Sequence, residues 1–128
     1  MKNIKMIVGD LDGTLLDNNK QTSLEMKRIR VKLKEQGILF VIATARSIAS
    51  AYQYILELEP DYVISCDGGL VSKKNINLFC NALTFSQFNS IFNTIKSSNK
   101  VGRISIVSIN KDYNNYGGEL FPKKLIQE

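Results

Sequence analysis

Short apolar runs alternate with amphipathic stretches along the first half of the chain. Residues 5–9 form a largely apolar run, which is typical of a strand buried on both faces of a sheet. Leu24, Ile29 and Leu33 then recur at helical spacing, and residues 38–43 are again continuously apolar. The pattern predicts a strand, a helix and a strand in one parallel crossover unit.

The ends of this first helix have their own signals. Thr22 and Glu25 have the spacing of a capping box, and Gly37 supplies a left-handed residue after the last turn. The helix is therefore predicted to begin just after Thr22 and to end before Gly37.

A second unit of the same kind follows. Ile48, Tyr52 and Ile55 keep helical spacing until Pro60, which cannot continue a helix, and residues 62–65 then resemble a third strand. Three parallel strands joined by right-handed crossovers predict an open α/β sheet.

The pattern changes after Gly69. Residues 70–80 predict a short hairpin in place of another crossover helix, and we place a domain boundary near Ala82. The chain is thus predicted to divide into a core segment, 1–81, and a second α/β segment, 82–128.

The second segment has weaker signals. Four apolar residues predict one helix face: Phe85, Phe88, Phe92 and Ile95. Residues 103–109 predict a strand. The remainder, 110–128, is rich in Asn, Gly and Lys, so we expect a polar loop over 111–116 and only a weak helical tendency near the end.

Composition limits the class of protein. With 128 residues, 44% hydrophobic and 23% charged, the chain has the make-up of an ordinary globular protein. It has no apolar run long enough to cross a bilayer, no signal-peptide pattern, and two cysteines without a CxxC pair, so we predict a cytoplasmic protein. Histidine is absent, which excludes Ser-His and Cys-His catalysis within this chain.

The net charge of +5 does not by itself indicate nucleic acid. The basic residues concentrate in the first predicted helix, together with Glu25 and Glu35: Lys27, Arg28, Arg30, Lys32 and Lys34. We interpret this segment as a solvated helix face and predict neither a nucleic-acid nor a membrane partner.

Two acids follow the first predicted strand, at Asp10 and Asp12. Ligands of open α/β sheets bind beyond the carboxyl ends of the strands. If the extended geometry persists for two residues, both carboxylates point the same way. They would then repel each other unless a cation or a proton intervenes, and Mg²⁺, a hard ion that prefers oxygen ligands, is the expected partner.

This pair of acids suits phosphoryl transfer. A carboxylate can attack phosphorus, and a second acid nearby can protonate the leaving alkoxide and then activate water. Gly13 would let the backbone approach the phosphate closely. Taken alone, however, Asp-x-Asp-Gly also fits a simple turn.

The wider constellation resembles a known family. Residues 10–16 (Asp-Leu-Asp-Gly-Thr-Leu-Leu), 42–46 (Ile-Ala-Thr-Ala-Arg) and 64–70 (Ile-Ser-Cys-Asp-Gly-Gly-Leu) resemble the haloacid dehalogenase superfamily and, within it, the Cof-type sugar phosphatases. The similarity extends from about Lys5 to Val71. It implies the first three strands of a Rossmann-like core followed by the beginning of an α/β cap, with the segment from the hairpin to residue 109 in the place of the cap.

The resemblance also implies roles for residues. Asp10 would be the nucleophile and a metal ligand, and Asp12 the general acid and base, offering its carbonyl to Mg²⁺. Thr44 would bind the phosphoryl group through its hydroxyl and backbone N–H, with Ala45 and Gly13 beside it. Arg46 either meets the substrate, a small phosphorylated metabolite, or pairs with a surface acid.

Other parts of the family pattern are not found in this sequence. The superfamily also has a lysine and a later acidic motif, which normally follow the cap, so we expect the last two core strands to be absent and the edge of the sheet beside the first strand to be exposed. A second copy could pair with that edge. A phosphate-binding module without turnover therefore stays open as an alternative, as does a receiver-like signalling domain that would use Asp67.

Overall fold

The computed structural model describes residues 4–74, 76–97, 103–107 and 112–116. The chain divides into two compact units, Met1–Asn81 and Ala82–Glu128. The first unit contains, in chain order, β1 (Met6–Asp10), α1 (Leu24–Glu35), β2 (Leu39–Ala43), α2 (Ile48–Leu58), β3 (Tyr62–Ser65), β4 (Leu70–Lys73) and β5 (Ile76–Cys80). The second contains α3 (Phe85–Lys96), β6 (Arg103–Val107) and β7 (Asp112–Tyr116).

Five strands of the first unit form one sheet in the order β1-β2-β3-β4-β5. The pairs β1–β2 and β2–β3 are parallel, as predicted, and the α/β fold class is confirmed. The predicted hairpin is present as β4 and β5, which extend the same sheet with antiparallel pairing. The resemblance placed this hairpin in the cap segment, whereas it belongs to the sheet of the first unit.

The first helix begins at a different residue from the one predicted. Ser23 is the N-cap of α1, and its hydroxyl accepts a hydrogen bond from Met26 N. The predicted capping box of Thr22 and Glu25 is therefore wrong by one position, and the Thr22 hydroxyl donates to the Glu57 carboxylate instead. Gly37 has the predicted left-handed conformation, with φ of 67°.

The core includes only part of the predicted helix faces. Leu24 of α1 and Tyr52 of α2 are exposed, although the spacing had placed them on apolar faces. The buried cluster joins both helices, β2 and the segment after β1: Leu11, Leu16, Leu33, Phe40, Ile42, Ala51, Tyr54 and Leu58. α1 and α2 therefore pack on the face of β2 that carries Phe40 and Ile42.

Arg30 departs from the predicted solvated face of α1. Its side chain is buried, and both Nε and Nη2 donate to the carbonyl of Glu59, at 3.0 and 2.9 Å. Nη2 also lies 3.3 Å from the Asp61 carboxylate, and the guanidinium lies over the Phe40 ring. Arg30 thus ties α1 to the segment between α2 and β3.

The first strand is more exposed than its apolar sequence predicted. Met6, Ile7 and Val8 are 48%, 39% and 52% exposed, so the prediction of a strand buried on both faces is wrong for the described chain. Within the described ranges β1 pairs with β2 alone, and the sheet ends at β1, as expected. That a second copy pairs there remains a prediction.

The second unit is described by itself. α3 begins with a capping box between Thr84 and Gln87, and the rings of Phe88 and Phe92 stack with centroids 5.5 Å apart. β6 confirms most of the predicted strand. The polar loop predicted for 111–116 is wrong, because Asp112–Tyr116 pairs antiparallel with β6.

The helical tendency predicted near the end of the chain lies outside the described residues. Among the helices that the structure does describe, none has the length and apolar character of a membrane span.

Candidate active site at the carboxyl ends of the parallel strands

The segments that follow β1, β2 and β3 lie at one edge of the sheet. Asp10 is in register with Ala43, and Ala43 with Ile64, so the three strands end side by side. The segments after β2 and β3 are also joined, because Cys66 N donates to the carbonyl of Arg46 at 2.9 Å. The sheet therefore brings together the residues that the sequence singled out after each strand.

A tight turn follows β1 and carries Asp12. The strand stops at Asp10, and Leu11–Leu15 form one turn closed by a 2.9 Å hydrogen bond from Leu16 N to Leu11 O. Gly13 has φ of 77°, which L side chains rarely adopt, although a Cβ there would meet no atom within 4 Å. Asp12 thus lies in a turn, and the expected continuation of extended geometry is replaced by this turn.

Two cations contact the carboxylate of Asp12. Arg46 donates from Nε to Oδ2 at 2.7 Å and from Nη2 to Oδ1 at 2.8 Å. Lys20 Nζ donates to Oδ1 at 2.7 Å. These charge-assisted bonds, first that from Arg46 and then that from Lys20, hold the pKa of Asp12 well below its ordinary value. The same contact with Asp12 raises the pKa of Arg46.

Tyr54 of α2 contacts the residues that carry both cations. The guanidinium of Arg46 lies over its ring, 5.2 Å from the centroid, and its hydroxyl donates to the carbonyl of Lys20 at 3.0 Å. Tyr54 itself is buried in the core cluster. Arg46 Nη1 also donates to the carbonyl of Ser50, at 3.3 Å. Ser50 and Tyr54 of α2 therefore help to fix the surroundings of Asp12.

Thr44 is buried directly after β2. Its backbone N–H donates to the carbonyl of Ile64 at 2.9 Å, so that N–H is already used within the sheet. Its hydroxyl accepts a hydrogen bond from Arg46 N at 3.2 Å and keeps its own hydrogen to donate. Of the two phosphoryl contacts implied for Thr44, the hydroxyl contact is the one this arrangement leaves available.

The other predicted residues are at the surface. Asp10, Gly13 and Ala45 are exposed, and within the described ranges no cation lies within salt-bridge distance of the Asp10 carboxylate. Asp67 is exposed in a short turn with φ of 53°, which agrees with a turn residue.

Two residues near Asp12 were not predicted from the sequence. Lys20 lies in a polar loop without periodicity, and no sequence signal marks it. Tyr54 could have been found, because Ala51, Tyr54, Ile55 and Leu58 have the spacing i, i+3, i+4, i+7 of a buried helix face.

The donors suit a magnesium ion with few protein ligands. In the described part of the chain, no group of three or more metal-ligating side chains comes together. Both oxygens of the Asp12 carboxylate are taken by cations, which leaves the exposed carboxylate of Asp10. Mg²⁺ is commonly held by one or two carboxylates together with water and a substrate phosphate, so a single available carboxylate fits such an ion.

Comparison with known proteins identifies the family. A family model described as haloacid dehalogenase-like hydrolase matches residues 7–126. The chain therefore belongs to the haloacid dehalogenase-like hydrolases, and the resemblance seen in the sequence is confirmed for the superfamily. Membership also removes the receiver-like alternative that would have used Asp67.

Individual relatives agree with this assignment. The chain is 35% identical over 77 residues to "Putative phosphatase YxeH" of Bacillus subtilis (strain 168), a match that covers 57% of this chain and 28% of that protein. It is 29% identical over 76 residues to the 5-amino-6-(5-phospho-D-ribitylamino)uracil phosphatase YcsE of the same organism, covering 59% of this chain and 30% of YcsE. The chain thus spans less than a third of the length of these relatives.

A solved structure shares the fold. The crystal structure of a hypothetical protein from Geobacillus kaustophilus HTA426 superposes with a TM-score of 0.77 at 24% identity, covering 91% of this chain and 45% of that protein. At this identity the similarity supports the fold and not the activity.

Proposed function

We propose that this chain carries the nucleophile-bearing part of a magnesium-dependent phosphatase that acts on small phosphomonoesters. The observation that carries the proposal is the contrast between Asp10, the last residue of β1, and Asp12 in the turn that follows. Asp12 is held by Arg46 and Lys20, whereas the Asp10 carboxylate is exposed and has no ion pair with any described residue. A carboxylate without such partners keeps its lone pairs for a bond to phosphorus.

The reaction would proceed in two steps. In the first, an Asp10 oxygen bonds to phosphorus, the ester P–O bond breaks, and the leaving alkoxide takes a proton from Asp12. In the second, a water oxygen attacks the phosphoaspartate, its proton passes to Asp12, and the bond between phosphorus and Asp10 breaks. The Thr44 hydroxyl would donate to a phosphoryl oxygen throughout, and Gly13 and Ala45 would border the phosphoryl group.

The ion pairs of Asp12 hold it in the ionised form in the resting site, which is the form that the second step needs. Asp12 is therefore in the form that accepts a proton from water, although Arg46 and Lys20, which lower its pKa, also make it a weaker base. To act as an acid in the first step, it must first gain a proton. The negative charge of a bound phosphate ester would draw the two cations away from Asp12 and so favour protonation.

Magnesium belongs to this proposal. Phosphatases of this superfamily generally use Mg²⁺. Here the Asp10 carboxylate and, by the family resemblance, the backbone carbonyl of Asp12 would hold the ion, which would offset charge on the transferring phosphoryl oxygens.

The substrate class follows from the relatives. YcsE acts on a phosphate ester of a ribityl chain, and the sequence resembles Cof-type sugar phosphatases, so we propose a sugar phosphate or a sugar-alcohol phosphate. The proposal also places the protein in the cytoplasm, which is compatible with the two free cysteines, Cys66 and Cys80.

A matched pair of variants tests the activity. Hydrolysis of p-nitrophenyl phosphate by the chain should require Mg²⁺ and should fall by on the order of 10³-fold or more in Asp10→Asn, which lacks the nucleophile. Asp67→Asn is the control, because Asn tolerates the left-handed conformation of that turn. Equal rates in wild type and Asp10→Asn would exclude the proposed reaction.

A phosphate-binding module without turnover is the second candidate. One observation favours it. Both cations beside Asp12 are engaged by its carboxylate, and among the described residues no third cation contacts Asp12, so neither cation is free to stabilise charge on a phosphoryl group in the transition state. In that case the chain would bind inorganic phosphate in the presence of Mg²⁺, measured by calorimetry, and would release no p-nitrophenol.

A further inference from the structure

Lys20 lies in a polar loop between the turn after β1 and helix α1, and several hydrogen bonds hold the backbone of this loop. A β-bridge between Leu16 and Thr22 closes the loop. Inside it, Asp17 Oδ1 accepts hydrogen bonds from Asn19 N at 2.8 Å and Gln21 N at 2.9 Å. These bonds fix the loop backbone and so the position at which the side chain of Lys20 begins.

The backbone conformation at Lys20 is not one that favours lysine. Its φ is 59°, in the left-handed region where Gly and Asn are favoured and other side chains are strained. Asn18 and Asn19 lie just before it in the sequence, yet the left-handed position is occupied by Lys20. The explanation for lysine at this position must therefore lie in its side chain.

The ammonium group of Lys20 completes a three-point contact with Asp12. Arg46 contacts both carboxylate oxygens, and Lys20 adds a second donor to Oδ1 at 2.7 Å. The side chains of Lys20 and Asp12 are 57% and 37% exposed, and ion pairs at such exposure add little to folding stability. What the contact does supply is a fixed orientation of the carboxylate.

Tyr54 links this contact to the core. Its hydroxyl donates to the backbone carbonyl of Lys20, while its ring lies under the guanidinium of Arg46. One buried side chain thus contacts both the backbone of Lys20 and the guanidinium of Arg46.

We propose that Lys20 is a positioning residue that acts through Asp12, with Tyr54 fixing the backbone from which its side chain extends. The role of Lys20 is to hold the Asp12 carboxylate in one orientation beside Arg46. The catalytic consequence of this role rests on the proposed function, whereas the contact itself can be tested without turnover.

Two variants at Lys20 separate backbone from side-chain effects. Lys20→Asn suits the left-handed backbone and removes the ammonium group, so its melting temperature should equal or exceed that of wild type. Its kcat for p-nitrophenyl phosphate with Mg²⁺ should nevertheless fall roughly 10- to 100-fold, with KM changed by less than about threefold. Lys20→Arg, which restores a cation, should recover most of kcat. Unchanged kcat in Lys20→Asn would overturn the proposal.

The contribution of Tyr54 is tested by removing its hydroxyl alone. Tyr54→Phe keeps the ring under Arg46 and should lower kcat by roughly the same factor as Lys20→Asn, and the double variant should be no worse than either single one. Tyr52→Phe, at an exposed position of the same helix, is the control. If the fold decrease in kcat of the double variant equals the product of the two single decreases, Tyr54 does not act through Lys20.

A spectroscopic measurement distinguishes the failure of this proposal from that of the proposed function. In proton–nitrogen NMR spectra of the metal-free protein, the side-chain ammonium signal of Lys20 should shift in Asp12→Asn and in Tyr54→Phe, and stay in place in Tyr52→Phe. If the signal is the same in wild type and Asp12→Asn, the contact is absent and the proposal fails, whatever the activity. If the signal shifts but wild type hydrolyses no phosphate ester, the positioning contact stands and the phosphatase proposal fails.

Discussion

Arg46 donates to both carboxylate oxygens of Asp12, with Nε 2.7 Å from Oδ2 and Nη2 2.8 Å from Oδ1. The sequence left two roles open for Arg46, contact with substrate or a pair with a surface acid. The acid it contacts is itself a predicted catalytic residue, so the pair belongs to the candidate site.

Arg46→Lys should show that the planar guanidinium is required. Lysine keeps the charge, but it cannot donate to both oxygens while also lying flat over the Tyr54 ring. We expect kcat for p-nitrophenyl phosphate to fall by roughly 100-fold. Arg28→Lys, at an exposed position of α1, should keep the wild-type rate. If Arg46→Lys also keeps the wild-type kcat, a positive charge at this position is sufficient for activity and the planar guanidinium is not required.

The ion pairs of Asp12 should make stability depend on pH in the acid range. Since the pKa of Asp12 is lowered by folding, its contribution is fully present above the unfolded value of 3.8 and is lost as pH falls toward the lower folded value. The difference in free energy of unfolding between wild type and Asp12→Asn should be constant from about pH 8 to about pH 5 and shrink below about pH 4. Because Asp12 is partly exposed, that difference should be at most about 1 kcal/mol.

Salt provides the check on this interpretation. Raising the ionic strength to about 1 M should reduce the same difference at neutral pH, because exposed charges are screened over short distances. If the difference in free energy of unfolding between wild type and Asp12→Asn changes with neither salt nor pH, the carboxylate stabilises the fold by a contact other than these ion pairs.

The position of the N-cap of α1 can be tested by unfolding in urea. Ser23→Ala should lower the free energy of unfolding by about 1 kcal/mol, because Met26 N loses its side-chain acceptor. Thr22→Ala removes a hydroxyl that bonds to the exposed Glu57 carboxylate and should cost less than about 0.5 kcal/mol. A larger loss of unfolding free energy in Thr22→Ala than in Ser23→Ala would instead support Thr22 as the N-cap, as the sequence predicted.

Arg30 should matter for stability and not for catalysis. Arg30→Met removes two hydrogen bonds to the Glu59 carbonyl, although methionine can keep the packing of the stem against Phe40. A net loss of about 1–2 kcal/mol in the free energy of unfolding is expected, with kcat unchanged below the melting transition. Arg28→Met, on the exposed side of the same helix, is the matched control.

The strands of the first unit were predictable because their signal is local. The apolar runs at β1, β2 and β3 need no information from elsewhere in the chain. Asp10 at the end of β1 and Thr44 directly after β2 are located by the same runs. The helix faces were less accurate. Tyr52 was predicted to be buried in place of Tyr54, since apolar residues lie on more than one side of α2.

The contacts around Asp12 could not be predicted because they depend on the tertiary fold. Lys20 and Asp12 are eight residues apart, and Arg46 and Asp12 are 34 apart. Their meeting depends on a turn and on a left-handed loop residue, neither of which leaves a periodic trace in the sequence, and on the packing of Tyr54, whose helical spacing predicts burial but not its contacts with Lys20 and Arg46. The exposure of β1 was missed for a related reason: an apolar run predicts a strand but not what covers it.

That exposed first strand has a practical consequence for work with the isolated chain. Met6 and Val8 share one face of a strand whose outer side has no neighbour within the described ranges. Such a strand can template the addition of further strands from other molecules, and the resulting association would grow with concentration. The net charge of +5 opposes this through repulsion between molecules, so dilute, low-salt buffers are the conditions in which the chain should stay dispersed long enough to be assayed.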